Sequence, residues 1–138
     1  MPTIKVFDRL MDAVNDKDVD AAAECYTEDV RYAEPAIDCE LRGRDAVRAM
    51  YTTWMTHVNL TAELDDAFGA GDRGALVFTL AGTVVKELPG LWDADSIGRT
   101  FSVSVAVIAR LAPDGLMAEA VFYWNLLTLL TQLGQKPA

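Results

Sequence analysis

DVRYAEP, residues 29–35, reads as a strand with an acid on the wrong side. In extended chain successive side chains point to opposite faces, so Val30, Tyr32 and Glu34 share one side and Arg31 and Ala33 the other. Pro35, which cannot donate to a ladder, ends the run. A carboxylate on the apolar face costs several kcal/mol unless it is paired, neutralised or turned toward a cavity. Two readings follow: a structural carboxylate held by Arg31, Arg42 or Arg44 at the strand end, or a functional group facing a ligand.

On the N-terminal side of this strand, Ile4, Phe7, Leu10, Met11 and Val14 recur at helical spacing, and Asn15-Asp16-Lys17-Asp18 supplies an end and a fresh N-cap. Val19, Ala22, Ala23 and Tyr26 mark a second helix. On the C-terminal side, a loop runs through Arg42-Gly43-Arg44, and Val47, Met50, Tyr51, Trp54, Met55 and Val58 form the cleanest amphipathic stripe of the chain, a third helix. Beyond His57 the period changes to two, with Leu60, Ala62 and Leu64 alternating against Thr61, Glu63 and Asp65, and GAGDRG (69–74) reads as a hairpin connection. ALVFTLAGTVV, RTFSVSVAVIARL and LMAEAVFYWN are further strands, separated by the long loop ELPGLWDADSIG and the turn APDG, and LLTLLTQLG closes the chain as a short helix. Three helices followed by long antiparallel strands predict an α+β domain, a curved sheet wrapped around the helices as a cone with a mouth. No repeat, low-complexity tract or linker divides residues 1–138, so a single domain is expected.

A chain of 138 residues, 51% of them hydrophobic, can bury one core and a small-molecule cavity. The apolar runs are too short for a membrane span, the N-terminus reads as no secretory signal, and two cysteines make no disulfide framework, which together suggest a cytoplasmic protein. A formal net charge of −9 with scattered basic residues argues against nucleic acid and anionic lipid as partners. One histidine and two separated cysteines offer no metal cluster.

The order of elements and three segments carry a resemblance. AVNDKDVDAAAECYTEDVRYAEP (13–35), LRGRDAVRAMY (41–51) and ARLAPDGLMAEAVFYWN (109–125), with the closing QLG, resemble the nuclear transport factor 2-like superfamily, and within it ketosteroid isomerases and SnoaL-like polyketide cyclases. The resemblance implies an α+β cone with an internal apolar cavity, and it makes Glu34, the acid before the strand-ending proline, the counterpart of the isomerases' proton-shuttling base. It also marks departures. Leu10 and Val107 stand where the isomerase carries the tyrosine and acid that hold the developing enolate, and YWN stands where SnoaL-like cyclases carry an aspartate near the end of the last strand.

If Val107 faces the cavity, strand parity brings Val103 and Val105 with it, and Phe122 and Trp124 on the neighbouring strand. Met50, Trp54 and Met55 of the third helix and Tyr32 complete an expected lining suited to a hydrophobic, polyketide-like substrate, although plain core packing is the stronger reading of the helix residues and valines taken alone. Desolvation there raises the pKa of Glu34 toward the range of a general acid or base. Tyr32, Asn125 or Trp124 is then a candidate donor to a developing oxyanion; without the resemblance, Asn125 reads as the cap of the terminal helix. Glu63 and Asp65 either lie on the solvated outer face or send one acid inward. Trp92 is a lid over the mouth or the cover of a dimer edge. The expected function is a cofactor-independent cyclase or isomerase, a homodimer that acts on a hydrophobic small molecule. The alternatives are an epoxide-opening cyclase or hydrolase, a dehydratase of the same fold, and a non-catalytic binding or dimerisation module.

Overall fold

The computed structural model describes residues 4–135. Helix α1 (Lys5–Asn15) and the short α2 (Val19–Ala23) precede β1 (Tyr26–Glu34) and β2 (Cys39–Arg42); α3 (Arg44–His57) leads into β3 (Val58–Ala70), β4 (Arg73–Val84), β5 (Thr100–Leu111) and β6 (Met117–Tyr123), and α4 (Leu126–Gln132) ends the fold. The six strands form one sheet in the order β2-β1-β6-β5-β4-β3. All neighbours are antiparallel except β1 and β6, which run parallel, Tyr32 opposite Ala120. No helix among the described residues is long and apolar enough to cross a membrane.

Alternation builds the inner wall. On β1 Val30, Tyr32 and Glu34 are buried; on β5 Phe101, Val103, Val105, Val107 and Ala109 are buried while Ser102 and Ser104 are exposed. Against that wall α1 lays Val6, Phe7, Leu10, Met11 and Val14, all buried. Its last residue fixes it to the sheet: the Asn15 side-chain amide donates to the Ala62 carbonyl at 2.9 Å and its oxygen accepts from the Ala62 N–H at 2.7 Å. Asn15 thus takes the place of an adjacent strand for one residue of β3. Lys17 Nζ caps the neighbouring Leu60 carbonyl.

Several expectations change in detail. Tyr26 begins β1 rather than continuing the second helix, because its backbone joins β6 at Met117. The polar stretch does cap α2, the Asp18 carboxylate accepting from the Ala21 N–H at 3.0 Å. The segment read as a loop contains a 3-10 turn, Pro35–Ile37, and the strand β2, which folds back on β1 with Glu34 opposite Cys39 and Tyr32 opposite Leu41. The stripe of the third helix, the cleanest by spacing, is less fully covered than that of α1: only Val47 and Tyr51 of α3 are buried, and Met50, Trp54 and Met55 are half-exposed. That partial exposure places α3 at the rim of the cone.

Candidate active site

Strand β1 ends where the sheet meets α3, and its last residue points inward. Glu34 is 7% exposed. Its Oε1 accepts a hydrogen bond from the Tyr32 hydroxyl at 2.6 Å, a contact that period-two geometry makes possible between residues two apart on one face. Its Oε2 is buried with no partner among the described residues. The alternative of an arginine pairing is not formed: Arg31 and Arg42 are exposed, and Arg44 donates instead to the Tyr26 carbonyl at 3.0 and 2.7 Å. Burial pushes the Glu34 pKa up, and the Tyr32 hydrogen bond pulls it partly back. An unsatisfied buried oxygen costs about 1–3 kcal/mol and calls for an explanation, of which a catalytic role is one.

Glu34 borders a hollow. The space open to the centre of a water molecule is about 60 Å³, and the whole volume between the walls, mouth included, is about 650 Å³. Its floor is Leu10, Met11 and Val14 of α1; its sheet wall is Leu60, Phe78, Leu80, Phe101, Val103, Val105 and Phe122; Met50, Tyr51 and Trp54 of α3 and Leu129 of α4 close the sides. Tyr32 packs on Phe122 with ring centres 5.0 Å apart. At the mouth Trp54 meets Trp124 edge to face at 6.2 Å. Glu34 is the one carboxylate lining the hollow among the described residues.

The expected lining divides. Glu34, Tyr32, Met50, Trp54, Val103, Val105, Phe122 and Trp124 all border the hollow. Val107 and Met55 do not. Val107 shares the inward face but is fully buried between its register partners Leu76 and Phe122, deeper in the packed end of the cone. Met55 is half-buried, packed against the core. Asn125 is a correction as an oxyanion donor: it is exposed, and its side-chain oxygen accepts from the Thr128 N–H at 3.0 Å as the N-cap of α4. The hydroxyl hydrogen of Tyr32 is directed at Glu34. Glu63 and Asp65 are exposed, and Asp65, at the bulge of β3, accepts from Thr79 Oγ1 at 2.7 Å. Trp92 is neither a lid nor an edge cover; 3% exposed, it donates from Nε1 to the Lys86 carbonyl at 2.8 Å and packs behind Trp54 at 5.8 Å.

Sequence reasoning missed the pair Tyr26 and Tyr51, whose buried hydroxyls lie 2.6 Å apart. Tyr51 was legible as a stripe residue of α3, but nothing in the spacing tells that its hydroxyl meets one from β1. No group of three or more His, Cys, Asp and Glu side chains able to hold a metal ion occurs among the described residues.

A family model described as the SnoaL-like domain matches residues 7–120. No curated protein matches the chain in sequence. Among solved structures, it is similar to TsrD from Streptomyces laurentii, with 29% identity, a TM-score of 0.80 and coverage of 96% of this chain and 94% of that one. It is also similar to a hypothetical protein with a ketosteroid isomerase-like fold from Catenulispora acidiphila, with 19% identity, a TM-score of 0.82 and coverage of 98% and 96%. IdmH from Streptomyces antibioticus, a candidate polyketide cyclase, matches with 22% identity, a TM-score of 0.77 and coverage of 94% and 96%. The last two likenesses are likenesses of fold.

Proposed function

The chain belongs to the SnoaL-like domain family, and from that premise we propose that it is a cofactor-independent cyclase or isomerase of a hydrophobic, polyketide-like small molecule with Glu34 as its proton shuttle. The carrying observation is the buried Oε2 of Glu34, without a hydrogen-bond partner, at the wall of an otherwise apolar hollow. Burial raises the Glu34 pKa, which makes the carboxylate a stronger base than one in water. As carboxylate, Glu34 removes a proton from carbon beside a carbonyl; the C–H pair becomes the enolate double bond and the carbonyl pair moves to oxygen. Return of the proton to another carbon is isomerisation. Attack of the enolate carbon on a second carbonyl carbon forms a ring, and the proton then goes to the new alkoxide. No electrons are gained or lost overall.

The apolar wall supplies the second contribution, holding a flexible chain in a folded conformer so that reacting atoms meet within one molecule. An epoxide-opening reaction by two acids gains no support from Glu63 and Asp65, which stand in solvent. The reading includes association of two copies through the outer sheet face.

A simple enolisable ketone tests the shuttle without knowledge of the natural substrate. Wild-type protein should accelerate deuterium uptake at the carbon beside the carbonyl of β-tetralone, followed by NMR, and Glu34→Gln should lower that rate by about 100-fold or more. Equal rates for the two proteins would sink the shuttle. Ketone binding, read from quenching of tryptophan emission, without exchange in either protein would favour a non-catalytic binding module.

A further inference from the structure

Counting hydroxyl hydrogens around the hollow leaves one over. Tyr26 and Tyr51 carry two O–H groups and share one hydrogen bond, at 2.6 Å. Tyr26 is fully buried, does not border the hollow, and has no other side-chain hydrogen bond among the described residues. Its hydrogen therefore has one acceptor, the Tyr51 oxygen. A hydroxyl has a single hydrogen, so with Tyr26 donating, the hydrogen of Tyr51 has no protein acceptor. Tyr51 borders the hollow. Burial holds its hydroxyl in the protonated form, with the hydrogen bond from Tyr26 opposing and the charges of Cys25 and Glu34 adding to the effect.

Tyr32 is not free in the same way, since its hydrogen is bound to Glu34. Trp54 and Trp124 carry N–H donors but sit half-exposed at the mouth. Two residues of the wall thus carry a polar group without a protein partner among the described residues, Tyr51 through its hydrogen once Tyr26 donates and Glu34 through Oε2. We propose that Tyr51, activated and oriented by the hydrogen bond from Tyr26, donates to the carbonyl oxygen of the ligand while Glu34 addresses the adjacent carbon, so that the site selects enolisable ketones over hydrocarbons or carboxylic acids of the same shape.

The proposal rests on the reading of Glu34 as the base. In it Tyr51 supplies the donor that Leu10 and Val107 cannot. As negative charge gathers on the ligand oxygen, the bond from Tyr51 strengthens, which places its effect in the transition state. A free carboxylate ligand would face Glu34 without a cation beside it, because none pairs with Glu34 among the described residues.

Two readouts on the full-length protein separate this inference from the shuttle. The first is the carbonyl stretching frequency of bound β-tetralone, which falls when the oxygen accepts a hydrogen bond. It should be lowered in wild type and in Glu34→Gln, and return to its value in apolar solvent in Tyr51→Phe. The second is deuterium exchange, which Tyr51→Phe should slow by about 100-fold and Tyr26→Phe by clearly less. Both tyrosine variants break the same Tyr–Tyr bond. Identical losses in the two would therefore assign the effect to packing and overturn the proposal, as would an unshifted carbonyl band in wild type or an unchanged one in Tyr51→Phe. If wild type does not exchange but the band still depends on Tyr51, the shuttle fails and the donor stands.

Discussion

Tyr32 and Glu34, two residues apart on one strand, hold a single proton between phenol and carboxyl oxygens 2.6 Å apart, and that geometry gives the site a pH dependence of definite sign. Burial raises the Glu34 pKa and the Tyr32 hydrogen bond lowers it. Tyr32→Phe removes the lowering contribution, so the carboxyl is held still higher. The base form exists above the pKa; the acidic limb of the exchange-rate profile should therefore move to higher pH in Tyr32→Phe. Stability follows the same proton. A carboxyl whose folded pKa exceeds its ordinary value of 4.5 binds more protons folded than unfolded, so its contribution is complete below that value and is lost as pH rises through the folded pKa. Tyr32→Phe should melt lower than wild type, with a loss of about 1–3 kcal/mol for the broken buried hydrogen bond, and the gap should widen as pH rises. A gap that narrows with pH would contradict the lowering of the Glu34 pKa by the Tyr32 hydrogen bond.

At the scale of elements, the strand β4 shows how closely the neighbouring strands are fitted. A Cβ built on Gly82 would come within 2.5 Å of Val58 Cγ1 and 3.0 Å of Phe101 Cζ. Val58, the first residue of β3 after α3, is fully buried and cannot withdraw, and Phe101 borders the hollow. Gly82→Ala should cost about 1–3 kcal/mol by overpacking, read as a lowered denaturant midpoint with unchanged slope, and should displace Phe101 toward the hollow. The strands and helices themselves were legible because period-two and helical patterns stand out in long segments: α1, β4, β5 and β6 fall within a residue or two of their expected bounds. Strand β2 was not, since the alternation of the four residues CELR is too short to stand out from a loop, and they pair because the turn at Pro35 returns them to β1. Tyr26 fits helical spacing from Ala22 and Ala23 equally well, and its pairing with β6, distant in sequence, decides otherwise. Parity likewise identified which face of β5 looks inward, but not how deep the hollow reaches; Val105 borders it and Val107, one step further on the same face, lies in solid core.

For the molecule as a whole, β5 is the boundary between two surfaces with separate roles in the proposed function. Inward, Val103 and Val105 border the hollow. Outward, Ile108 is 43% exposed beside Val121 of β6, and Tyr123, 49% exposed, stands opposite Ala106. This apolar outer patch is flanked by the Arg110–Glu119 ion pair at 3.5 Å, the kind of mixed, self-complementary surface on which two copies related by a two-fold axis can meet. Opposite faces of one strand should respond independently. Val105→Trp places an indole in a hollow with only about 60 Å³ open to water centres, and should abolish both quenching of tryptophan emission by β-tetralone and deuterium exchange while leaving the mass measured by light scattering unchanged. Ile108→Glu puts a charge on the outer patch and should halve that mass while retaining exchange. A monomeric mass for wild type would remove the second copy from the proposal, and retained exchange in a folded Val105→Trp would move the chemistry out of the hollow altogether.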